Sequence, residues 1–77
     1  MKFKLLECVV LMRELPEFDL QVGDLGTIVG VYEPDGLEVE FVKASGETLA
    51  VVSLTEDDVR PVGAGDIIAV RSSGKAA

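Results

Sequence analysis

The sequence has no histidine, no tryptophan and a single cysteine, and its only aromatic residues are Phe3, Phe18, Tyr32 and Phe41. Without histidine, the usual general base at neutral pH and the commonest transition-metal ligand are both missing. No serine or cysteine can be paired with an imidazole, so an enzyme is not expected and no catalytic residue is assigned. So few aromatics also disfavour a groove for polyproline segments. Cys8 cannot staple its own chain. It lies inside the apolar run 8–12 and is expected to be a small buried hydrophobe rather than a reactive thiol.

Positive charge is scarce as well. Seven basic residues stand against fourteen acidic ones, for a net charge of −7. Lys2, Lys4, Arg71 and Lys75 lie at the two ends, so residues 5–62 carry thirteen acids against Arg13, Lys43 and Arg60. Such a body repels phosphate backbones, and nucleic acid is not an expected partner. A basic protein is. Long hydrophobic runs are missing too: residues 8–12 fall far short of the roughly 20 that a spanning helix needs, so no membrane partner is expected. The start is basic, but Glu7 interrupts its apolar stretch and no small-residue cleavage site follows. A cytoplasmic location is the expectation.

What is present suits one small domain. Seventy-seven residues, 48% of them hydrophobic, can build a single core. A domain of this size hides only about 60% of its unfolded surface. Residues 6–12 read as a strand and 13–22 as a loop. Gly23 and Gly26 bracket a turn that allows positive φ and a close chain crossing. That turn precedes a strand, and no Lys-Ser or Lys-Thr pair follows, so it is not a phosphate-binding loop. Residues 27–33 are rich in β-formers on both faces, and Gly30 allows a bulge. Pro34 and Gly36 mark a turn, with positive φ expected at the glycine. Residues 37–42 alternate apolar and acidic, which buries one face and turns Glu38 and Glu40 to solvent. Residues 27–33 and 37–42 thus make a hairpin.

A second turn on Ala44, Ser45 and Gly46 leads to a strand over 48–54. Thr55 can cap the acids Glu56, Asp57 and Asp58, but Pro61 comes too soon for a full helix, so one 3₁₀ turn is expected. Residues 59–62 make a closing edge strand. Short strands with turn signals every 8–12 residues imply an all-β barrel of five strands. Residues 1–62 form this domain. Residues 63–77 are a C-terminal extension: a joint at Gly63 and Gly65, a candidate extra strand at 66–71 and a flexible tail from Ser72.

The run from Val22 to Val31, followed by Leu37 to Phe41, resembles the glycine-turned hairpin of KOW-type and related SH3-like barrels. The stretch from Leu54 to Val62 is similar to the 3₁₀-then-strand ending of that class. Residues 3–62 resemble a family of small bacterial proteins known only as a domain of unknown function. The resemblance implies a five-stranded SH3-like barrel and no particular activity. KOW-type modules that bind RNA carry basic loops; here the loops are acidic, so that function does not transfer.

Two surfaces are candidates for contact. The loop holding Leu15, Phe18 and Leu20 either folds over the core as a lid or presents an apolar patch to a protein. Glu38 and Glu40 form an acidic rim on one strand face, about 7 Å apart from the strand rise, with Tyr32 at the end of the neighbouring strand. Glycosidases use such spacings, but a barrel this small offers no deep cleft. Glu56, Asp57 and Asp58 could hold a hard divalent cation, although the spacing of a calcium loop is absent. The leading expectation is a non-enzymatic protein-interaction module with no cofactor, an immunity- or antitoxin-like or accessory partner of a neighbouring protein. The alternative is a regulatory domain that binds a small ligand or a divalent metal. The apolar stretch 66–71 is a candidate contact for a homo-oligomer.

Overall fold

In the computed structural model, which describes residues 2–73, short β-rich runs form one antiparallel sheet. Its strands are β1 (Cys8–Leu11), β2 (Leu25–Tyr32), β3 (Gly36–Val42), β4 (Thr48–Thr55) and β5 (Val59–Pro61). Single 3₁₀ turns span Pro16–Phe18 and Glu56–Asp58, and no α-helix occurs among the described residues. The strand order is β4-β3-β2-β1-β5. The all-β class, the five strands and the 3₁₀ turn before the last strand are as the sequence implies. The order is compatible with the SH3-like barrel that the sequence resembles. No ladder joins β4 to β5 among the described residues.

Alternation decides which side chains build the core. Val9 and Leu11 of β1 face inward, as do Ile28 of β2, Leu37, Val39 and Phe41 of β3, Val52 and Leu54 of β4, and Val59 of β5. Each fully buried aliphatic side chain contributes roughly 1.5–3 kcal/mol. Phe3 closes one end of this cluster, although it precedes the first strand. Leu6, at φ 71, then turns the chain, and its N–H bonds the Ile28 carbonyl at 2.7 Å. The period that places Val9 and Leu11 inside leaves Cys8 on the other face. The thiol is exposed, which corrects the expectation of a buried hydrophobe.

The first loop is a structured tab. Pro16 starts its 3₁₀ turn, where its fixed φ is already suitable. Asp19 closes the turn in the left-handed region at φ 61. Leu15 and Leu20 then exchange backbone hydrogen bonds at 3.0 and 3.1 Å, a small antiparallel bridge. The bridge aims both leucines into the core.

Gly23 takes φ 99, as a tight turn needs, but Gly26 is required for space instead. Gly36 stays out of the left-handed region that its turn was expected to use. It is instead the first residue of β3, paired with Tyr32 and Thr55. The Glu33–Pro34 peptide bond is cis.

The segment 66–71 adds no strand to the sheet. It runs outside the ladder from an Arg60–Asp66 ion pair to an Arg71–Asp24 ion pair. The expected tail begins at Ser72, and its part at 74–77 lies outside the described residues.

Candidate interaction face

The registers place Tyr32, Glu38 and Glu40 on one face. Directly opposed residues of an antiparallel pair share a face. Thr27 is opposed by Cys8 on one side and Glu40 on the other, and Glu40 by Val51. Gly30, Glu38 and Ser53 form the next row, and Tyr32, Gly36 and Thr55 the one beyond. All of these lie opposite the core, on the outer surface of the sheet.

A bulge is responsible for Tyr32 being there. Thr27 and Ile28 pair with Glu40 and Val39, whereas Gly30 pairs with Glu38, so Val29 is an extra residue in β2. Strict alternation from inward-facing Ile28 would send Gly30 and Tyr32 into the core. The extra residue reverses the phase: Val31 packs against the core and Tyr32, 57% exposed, faces out. Bulges re-aim side chains in this way.

Gly30 then gives the ring a place to lie. A Cβ there would stand 3.0 Å from the Tyr32 hydroxyl oxygen, 3.1 Å from its Cε2 and 3.2 Å from Cβ of Glu38. The phenol ring therefore rests against bare backbone, beside the root of Glu38. The carboxylates lie on the outer side of the sheet as the alternation implies, and both residues are half-buried there. Glu38 accepts a hydrogen bond from Ser53 Oγ at 2.9 Å, and Glu40 one from Thr48 Oγ1 at 2.6 Å. Each carboxylate is steered by a neighbour on β4 and keeps acceptor capacity for another donor. Arg60, at the far edge of this face opposite Val10, is already engaged by Asp66.

The other candidates separate. Leu15 and Leu20, at 4% and 2% exposure, are core residues and offer no contact surface. This corrects their place among the contact residues: the bridge between them turns both inward, as a lid on the core. Phe18 remains at the surface, 38% exposed, in the tab. No register places it with Tyr32.

Two of the three acids of the second 3₁₀ turn have structural partners. Asp58 Oδ2 accepts the Thr55 N–H at 2.9 Å and the Thr55 hydroxyl at 3.2 Å, and its other oxygen meets Arg13 at 3.4 Å. Glu56 accepts the Lys2 N–H at 3.2 Å. Among the described residues no three carboxylate or thiol groups converge as a metal site.

Two features escaped sequence reasoning, one on this face and one beside it. The exposed thiol of Cys8 lies in the row of Thr27 and Glu40, and the period of β1 was the signal that could have placed it there. The strap over 66–71 was visible only as an apolar stretch, because its ion-pair partners are remote in sequence. Among the described residues no helix is long and apolar enough to cross a membrane.

No curated protein and no solved structure is matched by this chain. A family model does match, over residues 5–61, which takes in all five strands and leaves out the strap. By that match the chain belongs to the family described as Domain of unknown function (DUF4926).

Proposed function

We propose that this domain is a non-enzymatic protein-interaction module that holds a basic segment of another protein on the outer face of its sheet. The observation that supports the reading is the Tyr32 ring laid against Gly30 beside Glu38, with Glu40 in the next row. A lysine or arginine side chain can place its stem on the ring and its charge at the carboxylates. A cation over an aromatic face contributes about 0.5–2 kcal/mol. Hydrogen bonds from a charged donor add about 1.5–3 kcal/mol each. The net charge of −7 draws a basic partner from a distance and speeds encounter. A role as an immunity- or antitoxin-like or accessory partner of a neighbouring protein fits this chemistry.

The reading is tested with a lysine- and arginine-rich peptide and the full chain, by mapping amide shifts. Saturable shifts centred on Tyr32, Glu38 and Glu40 are expected, and Glu38→Gln with Glu40→Gln should weaken binding about tenfold or more. Gly30→Ala lifts the ring and should weaken binding while the fold stays intact. Shifts spread evenly over all acids, or binding unaffected by these changes, would count against the reading.

A further inference from the structure

The two ends of the strap make mirrored contacts. At its start, Asp66 receives a fork from Arg60, with Nη1 to Oδ2 at 2.8 Å and Nη2 to Oδ1 at 3.0 Å. Asp66 Oδ2 also accepts the Gly63 N–H at 2.6 Å. At its end, Arg71 sends a fork back to the body. Its Nε donates to Asp24 Oδ1 at 3.0 Å, and its Nη2 donates to Asp24 Oδ2 at 2.5 Å and to the Asp19 carbonyl at 2.8 Å. Between these ends packing does little. Ile67, Ile68 and Val70 are 91%, 76% and 92% exposed. Among the described residues, no backbone–backbone hydrogen bond engages residues 67–71.

The first loop builds the acceptor end, and it does so within residues 5–61. Asp19 ends the 3₁₀ turn at φ 61 and ψ 34, a conformation that its short polar side chain tolerates. In that position its carbonyl accepts the guanidinium. Asp24 is fixed from behind, because its Oδ2 also accepts the Gln21 N–H at 2.8 Å. The carboxylates of Asp19 and Glu14 add to the negative field around the guanidinium. A planar fork satisfies the carboxylate and the carbonyl together. An ammonium group, a point charge without that plane, matches them less well.

We propose that the first loop is a guanidinium pocket, formed by Asp24 and the Asp19 carbonyl, and that Arg71 fills it as a displaceable strap which an arginine on a partner's segment replaces. The pocket is separate from the Tyr32 and Glu38 face and does not rest on it. Exchange replaces like with like, since an incoming guanidinium finds the same acceptors. Tethering raises the local concentration of Arg71, to the millimolar range for a short flexible linker, so the strap sets a threshold that a partner must exceed. Residues 67–70, between the two clamps, are the tether, and no backbone–backbone hydrogen bond holds them among the described residues.

The test uses full-length Arg71→Ala, in which the pocket is empty, and amide NMR. The Gln21 N–H is bonded to Asp24 and reports directly on the pocket. The probe is a hexapeptide with the sequence of residues 66–71, alongside a version ending in lysine. Saturable shifts at Leu20, Gln21 and Asp24 are expected in Arg71→Ala, with the wild type responding about tenfold more weakly. The lysine version should bind less well, and adding Asp24→Asn should abolish the response. No saturable shift in Arg71→Ala, or an equal response in the wild type, overturns the proposal. Loss of the fold in Arg71→Ala also overturns it, because the segment would then be structural. A wild-type dimer dissolved by Arg71→Ala would show that the strap belongs to a second copy, and would overturn the intramolecular latch.

Discussion

The Cβ that Gly26 lacks would stand 2.5 Å from Cγ1 of Val39. It would also lie 2.8 Å from Cε1 of Phe41. Both neighbours are core side chains, at 0% and 2% exposure. Gly26 is thus the floor on which the centre of β3 packs. Gly26→Ala should cost about 1–3 kcal/mol by overpacking. In a domain of this size each kcal/mol lowers the melting temperature by roughly 4–8 °C. Thermal and urea unfolding would measure it, and an unchanged midpoint would show that the packing can relax.

The tab separates Leu20 from Phe18, two large apolar residues two positions apart. Leu20 is 2% exposed and Phe18 38%. Leu20→Ala should cost about 2–5 kcal/mol, as for other buried leucines. Phe18→Ala should cost clearly less, despite removing the larger side chain. Equal losses would mean that the tab packs as a unit on the phenyl ring.

Asp58 and Asp57 carry the same charge in the same 3₁₀ turn, yet only Asp58 reaches back to Thr55. Asp58→Ala removes the acceptor for the Thr55 N–H and should cost about 0.5–2 kcal/mol, the range for a lost cap. Asp57→Ala should stay within about 0.5 kcal/mol. A thermal shift with millimolar magnesium or calcium that either change abolished would point to a cation instead.

Most of the sheet was legible in the sequence because its signals are local. The alternation from Leu37 to Val42 marks an inner and an outer face, and Thr55 with Asp58 marks a 3₁₀ turn. Gly30 flagged the bulge, but not its consequence. Placing Tyr32 outside requires knowing that Val29 is the extra residue, which depends on the partner strand. The leucines of the tab left two readings open, because only the bridge between Leu15 and Leu20 decides where they point. The guanidinium pocket was not legible at all. Asp24 and Arg71 are 47 positions apart, and no periodicity or spacing links them.

Cys8 shows how one residue of phase changes chemistry. The apolar run suggested burial, yet the thiol sits on the outer face in the row of Thr27. One equivalent of a maleimide reagent should react with the native protein without denaturant. Reaction that required denaturant would return the thiol to the interior.

Asp66 gives the strap a pH dependence of definite sign. The Arg60 fork, helped by the Gly63 N–H, lowers its carboxyl from the ordinary 3.8 to about 2. The folded chain then binds this proton more weakly than the unfolded one. The stabilising contribution is present above about 3.8 and disappears as the pH falls towards 2. A carboxyl-detected NMR titration should place the Asp66 midpoint near 2, and Arg60→Gln should return it towards 3.8. The stability gap between wild type and Arg60→Gln should be largest at neutral pH and shrink through the same acid window. The pair is partly exposed, so added salt should narrow the gap as well. A gap that widened on acidification would mean that Arg60 stabilises the fold through something other than the Asp66 carboxylate.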